Sequence, residues 1–345
     1  MQGNFALGIL MGISAGFVNG IFLLPMRYTR KWAWENVWLI FAILSTLIFP
    51  WIAALAAVPR LISIFRASSL SYLMVGLITG TVWGIAQVLY GLGCGMVGIA
   101  IGSAIISCTA IISGTIGPLI AYAPEKLISL SSVTLFIAVL LIVFGIYLYS
   151  KAGARKEQET KGTDASAQIV KGSLRTGLTV CLISGVLGTA FIYGGKSSTA
   201  ILAAAEAAGA SSLLAFYAAY VVTFNAGTVP GVIYSLYKLY KNKTLANYVT
   251  SGSLLWNLVL AASMAALWYG GILLYGMSSG EMGKLGPSIA FALFSSGTVL
   301  FANLFGWLAG EWKGASHQTI RGFVKGMALI VLAVLIIAFG VRSPG

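Results

Sequence analysis

Stretches of about 20 apolar residues recur along this chain from one end to the other, and they limit its fold more than any other feature. A helix of that length crosses the hydrocarbon core of a bilayer with all its backbone hydrogen bonds made internally. Only 8% of the 345 residues are charged and 59% are hydrophobic, which excludes a water-soluble domain. We therefore predict an all-α integral membrane fold whose surrounding partner is the lipid bilayer.

Charge clusters, prolines and glycine-rich turns divide the chain into ten predicted spans. They lie at 5–24, 36–58, 71–93, 96–120, 130–150, 173–195, 211–236, 252–276, 284–309 and 322–341. We expect residues 1–150 to form a first five-helix repeat and residues 172–345 a second. The polar stretch 151–171 between them contains no aromatic residue, and it is predicted to be a flexible cytoplasmic linker.

The basic residues predict the orientation in the membrane. The net charge of +13 comes from short Lys and Arg clusters between apolar runs rather than from one basic face, so no nucleic-acid partner is expected. Cytoplasmic loops retain an excess of Lys and Arg, and most of the 21 basic residues follow the odd-numbered spans. Both termini are therefore predicted to face the periplasm.

The chain contains a weak internal repeat. The segment WGIAQVLYGLGCGMVG (83–98) aligns with WYGGILLYGMSSGEMG (268–283). The matching pairs are Trp83 with Trp268, Leu89 with Leu274, Tyr90 with Tyr275, Gly91 with Gly276, Gly95 with Gly280, Gly98 with Gly283, and, just beyond, Ser103 with Ser288. Repeats of five spans each have opposite orientations, so the alignment predicts the 5+5 inverted repeat of secondary transporters. Two glycine-rich hairpins that are alike only in composition are the alternative.

Aromatic and amide side chains share faces of two predicted spans. Trp83, Gln87 and Tyr90 are spaced i, i+4, i+7 on the third span, and Asn257 and Trp268 lie on the eighth. Sugars are bound by aromatic faces that cover C–H groups and by neutral polar groups that satisfy hydroxyls. This pattern predicts a sugar-binding cavity. Helix packing, or anchoring at the membrane interface, is the other interpretation of these aromatic residues.

Further polar residues of apolar spans are candidates for the same cavity. Asn19 and Asn225, like the two amides above, would cost free energy if they faced lipid, so they must face protein or a wet cavity. Tyr193 and Lys196 lie in the motif YGGKSS near the end of the sixth span, and we include them as candidate substrate ligands. Hydrogen bonding between helices, without a role in substrate binding, is the alternative.

A proton-coupled carrier needs a group whose protonation changes between its two access states. The candidates for proton coupling are Glu35, Lys196, Glu206, Glu281 and Glu311, although each of them also fits a solvated position near the end of a span. The chain has no Walker A or HExxH motif, no GxSxG motif in the strand–turn–helix context of a hydrolase, and no acidic cluster typical of a metal site. We therefore expect no catalytic residues, no bound metal and no cofactor, and the chain is not predicted to be an enzyme.

Glycines repeat every four residues along the first span, at Gly8, Gly12, Gly16 and Gly20. Such a strip of small residues allows two helix backbones to approach closely. It predicts helix packing and carries no information about the substrate.

Several short motifs, in order along nearly the whole chain, resemble the bacterial L-rhamnose:proton symporter family of the drug/metabolite transporter superfamily. They are KWAWE (31–35), WGIAQVLYG (83–91), GIAIG (98–102), GTIGPLI (114–120), YVV (220–222) and GEW (310–312). The resemblance implies a ten-helix inverted-repeat carrier that imports L-rhamnose with a proton across the bacterial inner membrane. Positions that match the family are Glu35, Trp83, Tyr90, Gly98, Gly102, Lys196 and Glu311.

The sequence thus predicts transport by alternating access in a monomer or a weak homodimer, with a small-molecule sugar and a proton as partners. A carrier of the same superfamily for another small solute, working as an exporter or as an uncoupled facilitator, is the first alternative. A membrane sensor or scaffold that does not transport is the second.

Overall fold

The computed structural model describes residues 4–160, 174–197 and 199–341, and in these ranges the chain is helical without a single strand. The α-helices are α1 (Phe5–Gly20), α2 (Trp34–Ala42), α3 (Phe49–Ala57), α4 (Leu61–Ala67), α5 (Leu70–Val97), α6 (Ile99–Tyr122), α7 (Leu130–Thr160), α8 (Leu174–Leu187), α9 (Ala190–Ser197), α10 (Thr199–Ala207), α11 (Phe216–Asn242), α12 (Asn247–Thr250), α13 (Leu254–Glu281), α14 (Gly286–Leu308) and α15 (His317–Gly340). A π-helical turn, Ile43–Ile48, joins α2 to α3.

Ten stretches of the described chain are long and apolar enough to cross a membrane, which confirms the predicted number of spans. In chain order these spans are Phe5–Tyr28, Trp34–Ala57, Leu70–Val97, Ile101–Tyr122, Leu130–Glu159, Arg175–Ala207, Phe216–Asn242, Leu254–Glu281, Gly283–Leu308 and His317–Gly340. Large apolar side chains such as Leu140 and Phe339 are exposed on them, as expected for a surface that faces lipid. The chain is a multi-pass membrane protein.

The fifth span continues further than the sequence predicted. Helix α7 extends through Thr160, so the first ten residues of the predicted linker are helical, and residues 161–171 lie outside the described part of the chain. The segment KAGARKEQET is polar but rich in good helix formers, and Arg155 forms an ion pair with Glu159 one turn later, at 3.1 Å. A polar segment can therefore continue a helix beyond the membrane.

The chain divides into two compact units. Unit 1 contains Met1–Gly20, Leu89–Thr189 and Leu274–Gly345, and unit 2 contains Ile21–Val88 and Ala190–Leu273. Within unit 1, α1 packs against α14, α6 against α8 and α14, and α7 against α15. Within unit 2, α11 is central and contacts α2, the π turn, α3, α9 and α10.

The glycine strip of α1 lies against the neighbouring helix, as predicted. A Cβ atom on Gly16 would lie 2.6 Å from the Cα of Gly297, and one on Gly12 would lie 3.1 Å from the side chain of Leu293. The two backbones of unit 1 approach so closely here that only glycine fits without a shift of one helix.

We expect Gly16→Ala to destabilise the protein by about 1–3 kcal/mol, because the added methyl group would overlap the Gly297 backbone. Thermal unfolding of the purified protein in detergent measures this effect. Gly91→Ala is the control, since Gly91 also lies in a span but has nothing within 4 Å of the position that a Cβ atom would occupy. Equal unfolding temperatures for Gly16→Ala and wild type would contradict close packing at this position.

Close backbone contacts also shape unit 2. Gly80 and Gly84 of α5 face the backbones of Thr223 and Gly227 in α11, and a Cβ atom on either glycine would collide with a carbonyl oxygen. These contacts bring α5 against α11 and place the ring of Trp83 directly over Gly227. The segments that carry the candidate site are thereby held together.

Candidate functional site

Unit 2 contains a cavity of about 70 Å³ that is partly open to the outside. This is smaller than the usual volume of ligand pockets, about 300–1,000 Å³. We call it the aromatic cavity, and the residues that line it are Phe22, Trp38, Phe41, Ala42, Ser45, Thr46, Trp83, Gln87, Gly227, Thr228, Gly231 and Trp268. They come from both halves of the sequence, and none of them is ionisable.

One wall of the aromatic cavity is formed by the two tryptophans that the sequence paired. The rings of Trp83 and Trp268 lie 5.7 Å apart, centroid to centroid, at an angle of 34°. Phe224, which is fully buried behind them, contacts both rings edge-on, at 5.3 Å and 5.6 Å. Phe41 continues the wall, 6.1 Å from Trp268. The result is a rigid aromatic surface that can cover the C–H groups of a ligand.

A second wall carries hydroxyl groups from two helices. The Oγ1 atoms of Thr46 and Thr228 are 2.7 Å apart. Thr46 also lies within hydrogen-bond distance of the Ala42 carbonyl, at 2.7 Å, and Thr228 of the Phe224 carbonyl, at 3.0 Å. The two hydroxyls have two protons between them, so two of these three contacts are hydrogen bonds at any one time, and both oxygens retain lone pairs. The pair can therefore accept a hydrogen bond from a ligand hydroxyl.

The π turn positions this hydroxyl wall. Pro50 has no N–H, so the carbonyl of Thr46, four residues before it, loses the donor that it would have in an α-helix. The Thr46 carbonyl accepts a hydrogen bond from Asn225 Nδ2 at 3.2 Å, and Asn225 Oδ1 accepts one from Trp51 Nε1 at 2.8 Å. Asn225, a predicted substrate ligand, thus holds a residue of the cavity wall and does not itself line the cavity.

Gln87 is the one amide that lines the aromatic cavity. Its side chain is exposed, and it has no hydrogen-bond partner among the residues that the structure describes. An amide with two donors and one acceptor, opposite aromatic rings and beside hydroxyl groups, suits a neutral ligand with both hydroxyls and an apolar face.

Three other predicted ligands in unit 2 occupy different places. Asn257 is fully buried, and its amide is bonded to the backbone of Arg30: Nδ2 donates to the carbonyl and Oδ1 accepts from the N–H, both at 2.9 Å. Its role here is to hold the loop after Tyr28. Tyr193 and Lys196 lie in α9 and are not among the lining residues, and the side chain of Lys196 is outside the described structure.

The remaining predicted ligands belong to unit 1. Asn19 is buried in α1, where its Nδ2 donates a hydrogen bond to Thr298 Oγ1 at 3.1 Å. Tyr90 is exposed on α5. Of the predicted substrate ligands, the structure therefore brings Trp83, Gln87 and Trp268 together in the aromatic cavity.

Glu35 is the only buried acid among the seven acidic residues that the structure describes. It begins the second span, and its Oε1 accepts hydrogen bonds from Thr244 Oγ1 at 2.7 Å and from Asn242 Nδ2 at 2.9 Å. No basic residue forms an ion pair with it in the described chain. Trp38 of the cavity wall follows it by one helical turn.

The other carboxylates predicted to couple transport to protons are more accessible. Glu206, in α10, and Glu311, in the turn after α14, are exposed. Glu281, at the end of α13, is partly buried and accepts a hydrogen bond from the backbone N–H of Asn4. None of these three lines the aromatic cavity.

Sequence reasoning missed the hydroxyl residues and part of the aromatic wall. Ser45, Thr46 and Thr228 were not predicted, and neither were Trp38 and Phe41. A signal was present, because Ser45 and Thr46 shortly precede Pro50, and Thr228 precedes Pro230, inside otherwise apolar spans. Proline frees a carbonyl within such a helix, and nearby polar side chains often satisfy it.

Known proteins give a consistent comparison. The profile of the family described as L-rhamnose-proton symport protein (RhaT) matches residues 1–343. Relatives named L-rhamnose-proton symporter include those of Cronobacter sakazakii, 26% identical over 356 residues, and of Escherichia coli, 25% identical over 349 residues. Each alignment covers 99% of this chain and 100% of the relative. The chain therefore belongs to the L-rhamnose-proton symport protein family.

Proposed function

We propose that this chain is a secondary active transporter that imports L-rhamnose together with a proton across the bacterial inner membrane. The observation that carries the proposal is the aromatic cavity, which combines an aromatic wall, a hydroxyl wall and a free amide within a ten-span membrane protein. Membership of the symporter family, and the names of its relatives, agree with this chemistry.

The cavity suits a deoxy sugar better than an ion or a lipid. L-Rhamnose has a methyl group and C–H faces that can pack on Trp83 and Trp268, and hydroxyls that can bond to Gln87 and to the two threonines. A charged solute would lose its hydration without finding an opposite charge, since no lining residue is ionisable. The cavity residues come from one chain, so a monomer, or a weak homodimer of such monomers, is sufficient for binding.

The proposed architecture is a 5+5 inverted repeat with residues 151–171 as a cytoplasmic linker. In support, Gly98 and Gly283, which the sequence alignment matched, both have positive φ angles, +92° and +64°, at the breaks before α6 and before α14. Unit 1 also resumes at Leu89 and at Leu274, another matched pair. Equivalent positions thus mark equivalent breaks in the two halves.

Helix packing in unit 1 gives independent support for the repeat. A five-span duplication makes the first span equivalent to the sixth, the fourth to the ninth and the fifth to the tenth. The contact of α1 with α14 then has its counterpart in the contact of α8 with α6, and the contact of α7 with α15 is its own counterpart. Repeats of opposite orientation would allow one site to open alternately to either side of the membrane.

We expect both termini to face the periplasm. Single cysteines placed at Gly3 and at Gly345, in a chain whose Cys94, Cys108 and Cys181 have been replaced, should react in whole cells with a thiol reagent that does not cross the inner membrane. A cysteine at Lys241, in the basic segment that ends α11, should react only after the membrane is permeabilised. A cytoplasmic residue 345 would contradict the orientation.

Uptake of labelled L-rhamnose into proteoliposomes tests the proposed function. An inward proton gradient of one pH unit corresponds to about 1.4 kcal/mol, so coupling of one proton to one sugar should give about tenfold accumulation. Unlabelled L-rhamnose should compete with uptake. Equilibration without accumulation would indicate a facilitator, and no uptake by folded protein would remove L-rhamnose as the substrate.

A further inference from the structure

Ser45 is an unusual residue of the aromatic cavity. Its side chain lines the cavity, yet the residue is 0% exposed and its Oγ has no hydrogen-bond partner in the described structure. Most buried side-chain hydroxyls are hydrogen-bonded, because an unsatisfied one loses the bonds that it makes with water. The native protein thus contains a polar atom that lacks a partner next to a space for a ligand.

Ser45 also lacks the local partner that serines in helices often have. A serine in an α-helix usually donates to the carbonyl four residues before it, as Ser235 does to Gly231 at 2.8 Å in the same unit. Ser45 instead lies within the π turn Ile43–Ile48, which changes the register of the helix. Its neighbour Thr46 makes the local contact to Ala42, and Ser45 makes none.

Short π-helical segments are frequent at functional sites, and an orphan hydroxyl in such a segment agrees with a binding role. The Ser45 oxygen has no exposed surface in this structure, so a sugar hydroxyl can reach it only if the cavity wall shifts on binding. A hydroxyl both donates and accepts, which matches the hydroxyls of a sugar. The aromatic wall and Thr228 line the same cavity as Ser45.

We infer that Ser45 is a specificity-determining residue that hydrogen-bonds one particular hydroxyl of the transported sugar. The inference rests on the proposed function, since it assumes that the aromatic cavity binds L-rhamnose. It assigns Ser45 to discrimination among sugars that differ at that hydroxyl. A site built to bond a hydroxyl rejects an analogue without it, because the buried polar group then stays unpaired.

Binding of L-rhamnose and of its 2-, 3- and 4-deoxy analogues to the purified full-length protein, measured by isothermal titration calorimetry, tests the inference. Ser45→Ala should weaken L-rhamnose binding about tenfold. For the single analogue that lacks the matching hydroxyl, wild type and Ser45→Ala should bind equally. The thermal unfolding temperature of the ligand-free Ser45→Ala protein should stay the same or rise, because an unsatisfied polar atom is removed.

Ser235→Ala is the matched control. It removes a buried serine hydroxyl from the same unit, but one that is bonded within its own helix and lies outside the cavity. It should lower the unfolding temperature slightly and leave all four affinities unchanged. This pattern, the reverse of that expected for Ser45→Ala, separates substrate binding from a structural effect.

Three results would overturn the inference, and they are distinguishable. If wild type binds L-rhamnose and Ser45→Ala binds it within twofold, Ser45 does not contact the sugar, and the proposed function stands. If Ser45 bonds a water molecule instead of the sugar, Ser45→Ala should either bind L-rhamnose within twofold of wild type or change the affinity for every sugar equally. An equal change for every sugar also overturns the inference. If wild type binds no L-rhamnose, the proposed substrate and this inference both fail.

Discussion

Trp268→Ala is expected to weaken L-rhamnose binding about 30- to 100-fold while leaving the protein folded. Trp268 is only partly buried, so its indole provides contact area within the cavity more than it fills the core. Loss of such an aromatic surface removes about 2–3 kcal/mol of contact energy. Trp83 is a poorer choice for this test, because it is 7% exposed and packs on Phe224 and Gly227, so its removal would leave a hole in unit 2.

Two further variants make the result specific. Trp268→Phe keeps an aromatic face and should lose less than tenfold in affinity. Trp256→Ala removes a tryptophan from the same helix, α13, at a position outside the cavity, where its Nε1 donates to the Tyr28 carbonyl at 3.1 Å. It should bind L-rhamnose as wild type does. Wild-type affinity in a folded Trp268→Ala protein would show that the sugar does not stack on this wall.

The span count could be predicted from the sequence, and some helix ends could not. Apolar length is decided by the bilayer itself, so each apolar run became one span. For residues outside the membrane, apolar length does not predict where a helix ends. Residues 151–160 are polar in composition but helical in structure, because local ion pairing and helix propensity act there instead of lipid.

The two tryptophans of the aromatic wall could be predicted, because they form a matched pair in two spans that align in the sequence. The hydroxyl wall was missed, because the nearby prolines are only a weak signal for it. Threonine and serine are common in membrane helices, and most of them bond to their own helix, as Thr46 and Thr228 do in part. Only the three-dimensional structure reveals that Ser45 makes no such bond and that all three face one cavity.

The amides within the apolar spans illustrate a different limit. Composition requires that each one meets a partner, but it does not say whether that partner is a ligand or a loop. For Asn257 the partner is the backbone of Arg30, and for Asn225 it is the backbone of Thr46 together with Trp51. These contacts depend on how segments distant in sequence fold together, and no spacing rule predicts them.

The strongest prediction about energy coupling concerns Glu35. We expect Glu35→Gln to abolish proton-driven accumulation of L-rhamnose, while equilibrium binding and exchange of sugar across the membrane persist. A glutamine side chain has nearly the same shape and still offers an oxygen to Thr244 and Asn242, but it cannot take up or release a proton. Its carbonyl preserves the contacts that hold the start of α2, so the cavity wall at Trp38 should be unchanged.

The same substitution at Glu206, Glu281 and Glu311 provides matched controls, and each of these variants should accumulate L-rhamnose about as wild type does. A proton that drives transport must be exchanged with one side of the membrane at a time. The exposed carboxylates of Glu206 and Glu311 do not ensure this, and Glu281, which is partly buried, does not line the cavity. Glu35 differs from them in being buried and in lying one turn from the cavity.

The measurement is accumulation of L-rhamnose in proteoliposomes under an imposed pH gradient, together with sugar counterflow in the absence of a gradient. Full accumulation by Glu35→Gln would exclude Glu35 as the coupling group, and loss in one of the other variants would identify that residue instead.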